Sequence, residues 1–293
     1  MISHTQASDP SSVAGKPPAA GGLVPRLDKR LIGTRVDAAA VHCAPEASEP
    51  FNSVTDWPAP QQQRISPLFH YVLTRQLHAD LLSQLAPGGL PSSALHGSHD
   101  LRIYREPSGT LLPSGRILGW SARPQGTIIE LRMALLDGNG HLVSEQLETV
   151  LVPGHRSPEP GLVSPATQQR SPTAASVRTI IPRGLARRYA EVSGDDNPIH
   201  ASDAAARAVG LPGAILHGTA TLALVGSALA RALALGPRGA RVAQLSARFR
   251  RPVPLASELI TSYSATCNDA RTYRFETRCG SDTVLDHGRL GLG

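Results

Sequence analysis

An apolar helix followed by a run of alternating strands occurs twice in this 293-residue chain, once on each side of a Pro/Ser-rich segment near its middle. Upstream, Leu68, Val72, Leu73, Leu77, Leu81, Leu82 and Leu85 recur at helical spacing, with Pro67 in the first turn and Pro87-Gly88 as the stop. Strand patterns follow over Asp100–Tyr104, Arg116–Ser121, Thr127–Leu136 and Leu142–Val152, the last two joined by Asp137-Gly-Asn-Gly140, a hairpin turn. Downstream, a helix over Gly218–Leu235 precedes strands Val242–Arg250, Leu259–Cys267, Thr272–Arg278 and Thr283–Leu290. Each half also opens on a basic strand-like piece, Lys29–Val36 and Val177–Pro182. Leu101-Arg-Ile-Tyr-Arg-Glu-Pro107 echoes Ser246-Ala-Arg-Phe-Arg-Arg-Pro252. Matching element order plus this echo points to duplication, and two joined sheets could then bury both helices. The expected division is a disordered leader over 1–25, an N-terminal domain over 26–152, a linker over 153–173 and a C-terminal domain over 174–293.

Charge and cysteine content narrow the function class. The net charge is +6, and of 29 Lys+Arg only Lys16 and Lys29 are lysines. Guanidinium forks suit phosphate and carboxylate partners. The arginines are scattered, with no helix-turn-helix, zinc-finger or RNA-binding signature, so nucleic acid is not an expected partner. Cys43, Cys267 and Cys279 have no CxxC spacing, which fits neither a disulfide framework nor a zinc site and agrees with a cytoplasmic setting. Met1–Leu23 lacks the apolar core of a signal peptide, and Thr219–Ala230 is too short to span a bilayer before Arg231, so no membrane insertion is expected.

The chemistry concentrates in Tyr189-Ala-Glu-Val-Ser-Gly-Asp-Asp-Asn-Pro-Ile-His200 and in Leu216-His-Gly-Thr219 ahead of the second helix. Asp195-Asp-Asn-Pro198 is a turn on any reading, and a plain connection with Ser202 or Asp203 capping the next helix fits those residues equally well. His200 follows the proline closely, so a rigid turn could aim an imidazole and the Asp195 carboxylate at one point as an acid–base pair. A metal site of Asp195, His200 and His217 is less favoured, because no HxxxH or HxH spacing is present. Gly218 sits where the helix should begin, so a carbonyl oxygen could approach its N–H closely.

Tyr189 to Ala206, continued by Gly210-Leu-Pro-Gly-Ala-Ile-Leu-His-Gly218, resembles the hydratase 2 motif of the MaoC-like, R-specific enoyl-thioester hydratases and 3-hydroxyacyl-thioester dehydratases. The resemblance covers most of the second half. It implies an α+β, double hot dog fold, two long helices wrapped by a continuous antiparallel sheet. It makes Asp195 and His200 the catalytic pair, the Gly218 amide the oxyanion donor and Asn197 a support of the loop, with Tyr189, Ser193 and His217 as accompanying oxyanion and substrate-binding positions. It implies an acyl-CoA or acyl carrier protein thioester as substrate, in fatty acid or polyketide metabolism, no cofactor or metal, and a monomeric double hot dog or a homodimer.

The first half departs from the motif. It has no Asp-x-Asn-Pro-x-His before its helix, and its Leu95-His-Gly-Ser98 comes after the helix, so His96 is not expected to be catalytic. By the same resemblance, a degenerate half widens the tunnel for longer acyl chains. Arg248, Arg250 and Arg251 are candidates to meet coenzyme A phosphates or an acidic carrier. A hot dog thioesterase and a non-catalytic acyl-binding subunit are the alternatives.

Overall fold

The computed structural model describes residues 27–44, 46–58, 63–86, 90–91, 93–154, 175–233, 240–267 and 269–293. The expected leader, and the expected linker beyond Gly154, lie outside them. The first half runs β1 (Arg35–Asp37), β2 (Val41–Cys43), α1 (Glu49–Val54), α2 (Phe69–Leu85), β3 (Leu95–Ile103), β4 (Gly109–Arg123), β5 (Gly126–Asp137) and β6 (Leu142–Pro153). The second runs β7 (Ala175–Ile180), α3 (Leu185–Ser193), α4 (Asp203–Ala208), β8 (Ile215–Leu216), α5 (Gly218–Ala232), β9 (Val242–Phe249), β10 (Val253–Pro254), β11 (Glu258–Thr266), β12 (Asp269–Cys279) and β13 (Asp282–Leu292).

One 11-stranded sheet carries the order β1-β4-β5-β6-β3-β9-β13-β12-β11-β7, with β2 also on β4, and its named strands pair antiparallel. From the centre outward the halves match: β3-β6-β5-β4-β1 mirrors β9-β13-β12-β11-β7. The strands following the two long helices meet at the middle, Leu101 opposite Leu245, which joins the two echoing sequence segments. This is a double hot dog, α2 and α5 being the enclosed helices.

Why the sheet can wrap the helices follows from their side chains. Leu77, Leu81 and Leu85 of α2 pack in one cluster with Ile117, Trp120, Ile129, Leu131 and Met133 of β4 and β5. Each such buried leucine contributes about 1.5–3 kcal/mol. α5 is apolar nearly all round, with Leu222, Val225 and Leu229 buried. Its Gly226 permits close approach to β9, since a Cβ there would lie 2.9 Å from Leu245 Cδ2. The largest core cluster mixes both halves, for example Phe51 and Leu68 with Leu222, Leu245 and Phe275.

Several sequence expectations shift. Lys29–Val36 is strand only from Arg35, because Asp28 accepts the Arg30 N–H and nucleates a 3-10 turn that ends near Gly33 at φ +79°. The expected Arg116–Ser121 strand is part of a longer one, Gly109–Arg123, that contains Pro113. Pro113 falls between the β1 and β2 ladders on that edge, where a missing N–H breaks no pairing. Asp100–Tyr104 begins instead at Leu95, its alternation hidden by a bulge at Gly97. The second helix ends at Ala232, residues 234–239 lying outside the described set.

Candidate active site

The loop between α3 and α4 is built by local polar bonds. Gly194 ends α3 in the left-handed conformation, φ +71°, which only glycine adopts freely. Ser193 Oγ then accepts the Asp195 N–H at 3.2 Å, Asp195 Oδ1 the Asn197 N–H at 3.4 Å, and Asn197 Oδ1 the Ile199 N–H at 3.3 Å. Pro198 opens a 3-10 turn that ends on His200. Ser202 caps α4, and Asp203 Oδ1 accepts the Ala214 N–H at 2.8 Å, folding residues 203–214 back toward the site. Beneath this, Ile199, Ala206 and Ile215 form a small core of their own.

The ionisable groups converge. Asp195, His200 and His217 each bring a side-chain atom within 4.8 Å of the others. His200 Nδ1 lies 2.9 Å from the Ile215 carbonyl, so that nitrogen donates and Nε2 is left as the basic one. His217 Nε2 likewise donates to the Asp195 carbonyl at 3.0 Å, and its ring stacks on His200 at 3.6 Å. Burial pushes the Asp195 carboxyl up, but His217, His200 and Arg75 outweigh it and hold the group below the usual carboxylate range. Burial holds His200 below its ordinary value against the Ile215 carbonyl and Asp195. It takes His217 down to about 4, with His200 adding to the effect. At neutral pH the loop therefore carries one carboxylate beside a stacked pair of uncharged imidazoles.

A cavity of about 360 Å³ opens on this loop. Asp195, Asn197, His200 and Gly218 line it, whereas Tyr189, Ser193 and His217 lie behind the wall, so these three support the loop instead of facing a ligand. Tyr189 is fully buried, its ring 4.9 Å from His217 and 5.6 Å from Phe51. Gly218 is the first residue of α5, and the helix's first backbone bond is Thr221 N–H to the His217 carbonyl. The Gly218 and Thr219 amides therefore point out of the helix end free of intrahelical partners.

Other cavity residues have no signal in the sequence. Arg75 of α2 donates to the Gly194 carbonyl and sits 3.9 Å from Asp195, tying the first half to the loop. Tyr71, Leu82, Leu90, Val150 and Leu151 complete the far wall from the first half. Arg250 and Arg251 also line the cavity, and Asp286 holds Arg248 through bonds of 2.8 and 2.9 Å and pairs with Arg250 at 3.2 Å. His78 and His96 face the same space and lean on the buried Glu148. Burial would raise the Glu148 carboxyl, but His96 and His99 beside it hold it well below the usual range.

Residues 164–285 match the model of the MaoC-like domain. The chain is 31% identical over 218 residues to 3-hydroxyacyl-thioester dehydratase Y of Mycobacterium tuberculosis, covering 68% of this chain and 73% of that protein. The chain belongs to the MaoC-like family. Dehydratase X of the same organism is 32% identical over 167 residues, 55% of this chain, and the match spans only 56% of that relative's length. A MaoC-like dehydratase from Phytophthora capsici shares the fold, with a TM-score of 0.73 at 19% identity, over 91% of this chain and 97% of that one. Among the described residues of this MaoC-like chain, no helix is long and apolar enough to cross a membrane.

Proposed function

We propose that this protein is an R-specific hydratase/dehydratase that interconverts trans-2-enoyl thioesters and (R)-3-hydroxyacyl thioesters. The observation that carries the reading is the pairing of an anionic Asp195 with a neutral His200 whose Nδ1 is committed to Ile215, both lining one cavity at the start of α5. In hydration, a water lies between the Asp195 carboxylate and His200 Nε2. Its oxygen bonds Cβ as the pair takes one of its protons, and that proton is returned to Cα. Dehydration runs the path backwards, and no net proton is consumed. The Gly218 N–H faces the thioester oxygen, where enolate charge develops, and one such donor contributes about 3–4 kcal/mol.

The first half, 26–152, supplies the acyl-chain wall through Tyr71, Leu82, Val150 and Leu151, and the second, 174–293, supplies the reacting groups. Arg250 and Arg251 border the cavity, suited to the phosphates of coenzyme A or an acidic carrier protein. The test is incubation with trans-2-enoyl-CoA substrates of graded length, following enoyl-thioester absorbance and free thiol together. Loss of absorbance without thiol, giving the (R)-3-hydroxy product, is expected. Thiol release would make the protein a thioesterase, and no change with any chain length would make it a binding module.

A further inference from the structure

A second cluster of ionisable groups lies in the first half, apart from the catalytic loop. Glu148 of β6 is fully buried, and its ion-pair contacts among the described residues are all imidazoles. His96 Nε2 is 3.2 Å and His78 Nε2 3.5 Å from Glu148 Oε2, and His99 Nδ1 is 3.3 Å from Oε1. None of these nitrogens or oxygens makes a hydrogen bond of acceptable geometry with any described group. Their spacing has another explanation. Ligands on a tetrahedron around zinc at about 2.0–2.1 Å stand roughly 3.3 Å from one another.

The backbone is shaped to produce this convergence. His96 and His99 are three apart on β3, which in a regular strand would face them oppositely. The register shifts between His96 and Ser98, so Gly97 is a bulged extra residue and both imidazoles fall on the Glu148 face. Ser98 and Thr149 hydroxyls, 2.8 Å apart, pin the bulge, and His99 is the register partner of Glu148 itself. Tyr71 walls the cluster, its ring 5.6–6.0 Å from each of the three imidazoles. An isolated carboxylate in such a place costs several kcal/mol unless a cation joins it.

We infer that His96, His99 and Glu148, with His78 beside them, form a binding site for one divalent first-row transition-metal ion. His96, His99 and Glu148 have ligand atoms mutually within 4.8 Å, and His78 and His96 also line the catalytic cavity, which gives the ion an entry path and an open coordination position. Imidazole with a single carboxylate suits zinc, iron or manganese. The inference does not depend on the hydratase reading.

The test uses the full chain without a histidine tag, loaded separately with Zn²⁺, Mn²⁺ and Fe²⁺, freed of excess metal and measured by inductively coupled plasma mass spectrometry. One ion per chain is expected in the wild type, with background content in Glu148→Gln and His99→Ala and full content retained in His200→Ala. Circular dichroism checks the folding of each variant. Should the first two variants fail to fold, the visible absorption of the Co²⁺-loaded wild type and the fall of its Tm on chelation decide the matter. Background content in the wild type with all three metals would overturn the site. Equal loading of folded Glu148→Gln and His99→Ala, or loss of the ion in His200→Ala, would overturn it too, the latter by moving the ion to the loop.

Discussion

Replacing Asp195 by Asn separates chemistry from stability. The amide is nearly isosteric and keeps Oδ1, so the acceptor for the Asn197 N–H at 3.4 Å survives. What is lost is the charge, and with it the 3.9 Å ion pair to Arg75, in which both side chains are 24% exposed. A partly solvated pair of that length contributes under about 1 kcal/mol. In a chain of this size that amounts to about 2–4 °C in Tm. The catalytic loss is much larger, because an acid–base group contributes about 10²–10⁴-fold, or roughly 2.7–5.4 kcal/mol of barrier. Thermal melting and the initial rate of enoyl-thioester absorbance loss, measured on the same preparation, should therefore diverge. A variant within about tenfold of wild-type kcat/KM would refute the assignment of Asp195 to the chemistry. So would a fall of more than about 10 °C in Tm, since the residue would then be a structural ion.

Three further outcomes follow from the same geometry. Burial holds His200 below the ordinary imidazole value of 6.5, so the neutral base persists as pH falls and the acid limb of kcat/KM should lie below 6.5; a midpoint at or above that value in a pH–rate profile would contradict the burial argument. Arg75→Met removes the side chain that binds the Gly194 carbonyl and faces Asp195, and should lower kcat about tenfold with a small Tm change; an unchanged kcat would show that the loop holds itself. Leu151→Trp fills cavity space contributed by the first half, and should depress kcat/KM for long acyl chains far more than for short ones; a uniform loss across chain lengths would remove Leu151 from the acyl wall.

Much of the architecture was legible because helix and strand periods leave direct marks. Leu77, Leu81 and Leu85 announce α2, and Asp137-Gly-Asn-Gly140 announces its hairpin, where Asp137 Oδ1 accepts the Asn139 and His141 N–H groups at 2.9 Å. The turn carrying Asp195 and His200 was legible because its bonds are local, Asp195 Oδ1 accepting the Asn197 N–H two positions on, although the bond that orients His200 reaches 15 positions to Ile215. What escaped were contacts made at long sequence separation or through a broken period. Arg75 reads as an ordinary charge on a mostly apolar helix, and only the fold carries it to Gly194. His96 and His99 precede the expected Asp100–Tyr104 strand, and only the observed strand from Leu95, with its bulge at Gly97, turns them together. Spacing rules that look for HxH on a strand miss such a pair by construction.

The near-symmetry of the sheet raises the question of why the loop-lined cavity lies at the start of α5 and not at the matching start of α2. α2 and α5 occupy matching positions, so the cap and first residue of α2, Leu68 and Phe69, stand where α5 has His217 and Gly218. Leu68 is fully buried and Phe69 nearly so, and the Phe69 ring meets Phe51 at 5.7 Å, which in turn meets Tyr189 at 5.6 Å. The Phe69 and His70 amides are moreover bonded to the Ser66 and Pro67 carbonyls at 2.9 and 3.2 Å, so neither is free to meet a thioester oxygen. The same Phe51–Tyr189 packing supports His217 from behind through the 4.9 Å Tyr189 contact. The apolar residues that close the first half's helix end are therefore part of what holds the second half's loop in place. On this packing, reopening the first site by Phe69→Gly would create a cavity costing about 3–5 kcal/mol and loosen the surviving site instead of adding another.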